Sequence, residues 1–374
     1  MFNIADNIFS RAGVLAFARK IGFTDQPIRS PRDASVELLG QRGTLSCFLV
    51  ITSDVTSANL TRAARHLRHS YAAELQLFVF ALPDYSQIAV ATFTGADVAS
   101  LTLERGRIHA SDLDALNELI PQNGEGGLQL ALRHARALDR VRVTHRFFED
   151  FRGQRAVVAE AWQGIAPRCA AERNQLALLL LSRLMFLYFL QRRGFLAGQR
   201  DYFRALLRTH FSTTRRYTFY RGVLRPLFFG VLNRRPEKRT QRAAALGALP
   251  YLNGGLFERH HHERRSPSLD LADDVLRGVF EHLLERYRFT ASEGTHDLAV
   301  DPEMLGRVFE GLMEDSTRQS TGTFYTPASV VQRMVSSALS AHLSTYALPQ
   351  RAQVLREVRV LDPACGSGAF LLSA

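Results

Sequence analysis

Apolar and polar positions follow two different rhythms along this chain. Up to about residue 120 the apolar runs are short and strand-like. Leu45–Ile51, Leu77–Leu82 and Gln87–Phe93 are dense in aliphatic and aromatic residues and end at turn-forming ones. Leu60, Ala64, Leu67 and Tyr71 recur at helical spacing and place a helix between the first two. From Leu128 to Arg288 the helical period takes over. One long helix is expected through Leu138, Val141, Phe147 and Phe148 towards Trp162, and a shorter one holds Tyr202, Leu206 and Leu207. Val275, Leu276, Val279, Phe280, Leu283 and Leu284 form an inward stripe on another. The pattern predicts an α/β part over 1–120, a helical connector over 121–300 and a third part over 301–374.

Composition narrows the class. The chain has 374 residues, a formal net charge of +11 and 46% hydrophobic residues, which suits a globular protein with a polyanionic partner, nucleic acid first. Nearly all its 47 basic residues are arginines, the exceptions being Lys20 and Lys238. Cys47, Cys169 and Cys365 lie far apart, so neither a disulfide framework nor a cysteine zinc site is expected, and a reducing cytoplasmic setting fits. The apolar run Val14–Ala18 is flanked by Arg11 and Arg19 and does not read as a signal peptide. Leu176–Leu190 is too short for a spanning helix, which needs about 20 residues, and carries Ser182 and Arg183. A buried bundle helix is expected there, with no membrane partner.

The chemistry-bearing strings cluster near the end. Val358–Leu361 reads as a strand and Asp362 stands at its C-terminal end. Pro363, Ala364, Cys365, Gly366, Ser367 and Gly368 follow as a tight turn before a helix that begins with Ala369 and Phe370. Upstream, Gly322-Thr323-Phe324-Tyr325-Thr326-Pro327 precedes the periodic residues Val330, Val331, Met334 and Val335. Thr326 suits an N-cap and Pro327 the first helical turn, so the free N–H groups there suit a carboxylate.

Together these strings resemble motif X and motif I of amino-group DNA methyltransferases. The resemblance implies a Rossmann-like domain that binds S-adenosylmethionine. Tyr325, Thr326 and Pro327 would support its methionine end, and Asp362, Pro363, Ala364, Cys365, Gly366 and Gly368 would wrap the amino-acid portion, with Phe370 packing the helix that follows. Motif X ahead of motif I is similar to the adenine-methylating branch. Pro250–Glu258 and Asp301–Glu310 resemble segments ahead of motif X in type IIG restriction-modification methylases and the related phage-exclusion methylases. The implied substrate is the exocyclic amino group of a flipped adenine in double-stranded DNA, with restriction or defence-system subunits as further partners. That family carries an Asn- or Asp-Pro-Pro-aromatic catalytic loop. This sequence has no Pro-Pro dipeptide, so no catalytic residue is assigned and the chain is expected to be part of a longer enzyme.

Type IIG enzymes often place a nuclease at one end. Asp54, Glu74 and Asp84 could hold a metal in 1–120, but neither Lys20 nor Lys238 has the spacing of a PD-(D/E)XK site. Those carboxylates are read as turn caps, and the domain as nuclease-like but inactive. Asn233–Arg239 is a basic loop, solvated or in contact with phosphate. His260, His261 and His262 sit among charged residues and are expected in an exposed loop, since successive residues of regular structure point apart. Asp301 is expected to cap a helix facing inward through Leu305, Val308, Phe309 and Leu312, and Asn253-Gly254-Gly255 to form a turn. Two other readings stay open here: a non-catalytic DNA-binding or assembly module, and a fragment of an RNA or protein methyltransferase.

Overall fold

The computed structural model describes residues 7–29, 35–70, 75–95, 97–212, 217–252, 255–290, 298–300, 326, 328–363, 365 and 369–374. They fall into two compact units, Met1–Asp301 and Pro302–Ala374.

The first unit begins with helix α1 (Arg11–Lys20) and six strands, β1 (Thr24–Arg29), β2 (Val36–Arg42), β3 (Leu45–Ile51), β4 (Leu75–Ala81), β5 (Gln87–Thr94) and β6 (Asp97–Glu104). Their order in the sheet is their order in the chain. Every neighbouring pair is antiparallel except β3 and β4, which run parallel from Leu45↔Leu75 to Ile51↔Ala81. Parallel neighbours need a crossover, and helix α2 (Ser57–Ser70) supplies it. Both faces of the sheet are covered, which is why β3 and β4 are continuous apolar runs. Cys47, Leu49, Leu77 and Val79 pack on one face with Val14 and Phe17 of α1 and with Leu116 and Leu130. Phe48, Phe78 and Phe80 pack on the other under Leu60, Ala64 and Leu67 of α2.

Helices α3 (Ala110–Glu118), α4 (Gly127–Ala137), α5 (Arg140–Ala161), α6 (Ala170–Arg192), α7 (Tyr202–Phe211), α8 (His261–Arg265) and α9 (Asp273–Val279) follow. The expected long helix through Leu138 is two helices. Asp139 accepts a hydrogen bond from Val141 N at 2.9 Å and caps α5, so the chain turns between Ala137 and Arg140. Helix α6 has 23 residues and is long and apolar enough to cross a membrane, yet most of its apolar stretch is buried within the unit. Wider π-type turns occupy Tyr220–Leu224, Pro226–Leu232 and Phe280–Leu284. A backbone bond from Leu298 N to Ser100 O of β6 ties the later part of the unit to the sheet, and one from Ser111 N to Arg286 O ties it to α3, each 3.0 Å. Arg288 adds guanidinium bonds to Thr102 O and Leu298 O.

His134 sits fully buried where α4 meets the sheet, 3.1 Å from the carbonyl of Leu119 through Nε2. Burial pushes its pKa from 6.5 down to about 4. The unfolded chain therefore binds this proton more readily, so stability is full above pH 6.5 and falls as pH drops towards 4, by roughly 3 kcal/mol in all. Urea midpoints at pH 7 and pH 4.5 should diverge less in His134→Gln than in the parent. An equal divergence would remove His134 from the explanation.

The second unit contains α10 (Ala328–Ser344), α11 (Leu348–Glu357) and α12 (Ala369–Ser373). Val358–Leu361, expected as a strand, is extended at Val358 (φ −59°, ψ 133°) but pairs with nothing among the described residues. A strand exists only through its ladder, and the described residues of this unit are otherwise helical, so Val360 and Leu361 stand 48% and 87% exposed. The expected helix from Asp301, and Asn253 and Gly254, lie outside the described residues.

Candidate functional site

The site strings of the second unit are partly in view. Tyr325, Pro327, Ala364, Gly366 and Gly368 lie outside the described residues. Thr326 is half-buried and directly precedes α10 by way of Pro327. Asp362 is half-buried, Pro363 and Cys365 are exposed, and Phe370 is half-buried on α12. Helices α10 and α12 pack against each other. The helix after Thr326 and the helix after the glycine-rich turn are thus neighbours, although residues 345–368 separate them in sequence. Val331 of α10 is buried at 2% exposure, while Val330, Met334 and Leu371 remain open.

The carboxylates weighed for a nuclease metal do different work. Asp54 Oδ1 accepts from the backbone N of Thr56 at 3.0 Å and from its hydroxyl at 2.6 Å, at the start of α2. Those two bonds hold its pKa below the usual carboxylate value. Asp84 does the same with Ser86 in the β4–β5 turn, at 3.0 and 2.8 Å, and is lowered for the same reason. Glu74 lies outside the described residues. Among the described residues, no cluster of three potential metal ligands includes Asp54 or Asp84.

The basic loop separates into inner and outer arginines. Arg239 turns inward and donates to Arg234 O at 3.1 Å and Leu249 O at 2.8 Å. Arg234, Arg235 and Lys238 are exposed around the turn Pro236–Lys238. A depression of about 610 Å³ lies between α3, α4 and α5, lined by Glu118, Glu125, Arg133, Arg136 and Arg142 among others. Its charges largely satisfy one another, Arg133 with Glu125 at 2.5 Å and Arg142 with Glu118 at 2.6 Å.

One group was misread from sequence. His260, His261 and His262 are not in an exposed loop: His260 caps α8, and His262 is buried at 8% exposure. The cause is an ion pair, since Glu263 in the first turn of α8 is held by Arg183 of α6 at 2.7 Å. No local pattern in the sequence announces a partner 80 positions away.

Residues 300–374 match the N-6 DNA Methylase family, and residues 168–295 match a domain of unknown function (DUF7814). A protein of Methanocaldococcus jannaschii named for a type II restriction enzyme and methyltransferase is 28% identical to the chain. The match covers 54% of this chain and 20% of that protein, so the chain spans about a fifth of the relative's length. No solved structure matches.

Proposed function

The chain is related to type II restriction-modification methyltransferases, and from that relation we propose that residues 301–374 begin a Rossmann-like domain that binds S-adenosylmethionine. The whole enzyme would transfer the methyl group to the exocyclic amino nitrogen of adenine in double-stranded DNA, in restriction-modification or phage defence in the cytoplasm. Residues 1–120 serve as a nuclease-like but inactive domain and 121–300 as a connector. Tyr325, Thr326 and Pro327 support the methionine end of the cofactor, and Asp362, Pro363, Ala364, Cys365, Gly366 and Gly368 wrap its amino-acid portion, with Phe370 anchoring the loop to α12.

The observation that carries this reading is the string Leu361–Leu371 within the N-6 DNA Methylase match. The packing of α10 against α12 supports it, because both helices leave segments that would border one ligand. A helix start with free N–H groups suits the carboxylate of the cofactor, and a carboxylate in the loop suits its ammonium. A net charge of +11 suits a DNA substrate, whose phosphates attract basic proteins irrespective of sequence.

Asp362→Ala in the native full-length protein tests the assignment by calorimetric titration with S-adenosylmethionine. Losing a charge-assisted bond to the ammonium should weaken binding about tenfold or more. Unchanged affinity would remove Asp362, and with it the proposed loop, from the cofactor site.

A further inference from the structure

We propose that His260, His261 and His262 bind a late first-row divalent cation, zinc by class, with the Glu172 carboxylate as fourth ligand. One ring nitrogen from each histidine lies within 4.8 Å of the other two. The ring centroids are 4.2 Å apart for His260 and His261, 5.0 Å for His260 and His262, and 3.7 Å for His261 and His262. Tetrahedral zinc holds imidazole nitrogens at about 2.0–2.1 Å and therefore roughly 3.3 Å from each other, a separation that small ring rotations reach. Consecutive residues can converge here because His260 is not helical. It sits at φ −62° and ψ 154°, outside the rotation that separates His261 from His262.

His262 carries the sharpest sign. Its Nε2 is 3.2 Å from Gln175 Oε1, a carbonyl oxygen that only accepts. With the ring proton on Nε2, the lone pair is on Nδ1, and Nδ1 lies 3.5 Å from Glu172 Oε2. In the neutral ring that lone pair faces the carboxylate, and the 3.5 Å separation is close to that of two ligands on one tetrahedral zinc. His260 contributes a second sign, because its Nδ1 is buried without a hydrogen-bond partner. Imidazole nitrogens and one carboxylate suit zinc and its neighbours rather than calcium or magnesium.

The scaffold is held apart from any metal. His260 N donates to Glu263 Oε2 at 2.8 Å, and Arg183 binds that carboxylate through two nitrogens at 2.7 and 3.1 Å. Arg183 also bonds Leu256 O at 2.6 Å and Glu258 O at 2.7 Å. Gln175 orients the His262 ring as the outer partner of a metal-bound imidazole does. His261 is exposed and leaves an entry path. The cation would join α8 to the first turns of α6.

The test uses the full chain without a polyhistidine tag, stripped with chelator and dialysed against buffered micromolar zinc. Elemental analysis should return one zinc per chain, and cobalt should give the visible absorption of a tetrahedral site. His261→Ala changes an exposed side chain and leaves the fold in place, so it should weaken zinc at least tenfold without lowering the metal-free melting temperature. No retained zinc, or His261→Ala binding as the parent does, overturns the site. Glu172→Gln with unchanged affinity overturns the fourth ligand.

Discussion

Arg183→Leu should destabilise the unit Met1–Asp301 by roughly 3 to 5 kcal/mol. The guanidinium is fully enclosed within the apolar middle stretch of α6, its side chain 2% exposed against 6% for Glu263. It lies over the rings of Phe228 and Phe229 at 5.3 and 5.2 Å. Removing it leaves the Glu263 carboxylate charged in a site that water does not reach, and strips donors from the carbonyls of Leu256 and Glu258. The penalty comes mainly from those orphaned groups, because an intact buried pair returns little beyond its own desolvation. Joining Glu263→Leu to Arg183→Leu should therefore recover much of the loss, a non-additivity typical of contacting residues. Trp162 is the single tryptophan and packs on Tyr220 at 5.1 Å in the same helical region, so its fluorescence during urea unfolding reports the change. A double variant as unstable as the sum of the two single variants would contradict this account.

Phe78→Ala should cost a similar amount, roughly 3 to 5 kcal/mol, for a different reason. Phe78 is completely buried on the α2 side of β4, stacks with Phe48 at 5.8 Å, tilts against Phe80 at 5.6 Å and meets Phe93 edge-on at 6.2 Å. The neighbours that would have to close the gap belong to a sheet whose strands are fixed by ladders on both sides of β4. The cavity therefore persists, and with it the loss of dispersion contacts. Met334→Ala on the half-exposed side of α10 removes comparable apolar bulk from water rather than from a core and should change stability by less than about 0.5 kcal/mol. Thermal unfolding followed by circular dichroism separates the two. Equal effects would mean that Phe78 is not where the packing energy of the sheet lies.

What could be read from the sequence follows from how each element is stabilised. Strands β3, β4 and β5 are legible because burial on both faces makes them continuous apolar runs, and Leu45–Ile51 coincides with its predicted bounds. Strands β2 and β6 escaped notice. The first interrupts its pattern with Glu37, Gly40 and Gln41, and the second buries Ser100 among Ala and Thr. Strand β1 contains Pro27 and reads as a loop. The break at Asp139 is masked by apolar spacing that runs on through Leu138, although Asp is itself a favoured N-cap and bonds Val141 N here. The wide turns near Tyr220 and Phe280 have no sequence signature, since a π turn differs from an α turn by one residue of register. At the candidate sites the contrast is sharper. The cofactor strings are contiguous, so a single chain shows them. The histidine group depends on Glu172, Gln175 and Arg183 arriving from α6, which no spacing within residues 260–263 encodes.

The order of the sheet has one more consequence. Each strand lies beside the strand made just before it, so every pairing from β1 to β6 closes over a short stretch of chain. Short closures cost little entropy and favour rapid assembly. Emerging from the ribosome, the N-terminal layer can be assembled strand by strand before the helices that later brace it exist. The bonds from Arg288 to Thr102 O and from Leu298 N to Ser100 O must wait, and they join it to the helical part once residue 298 has emerged.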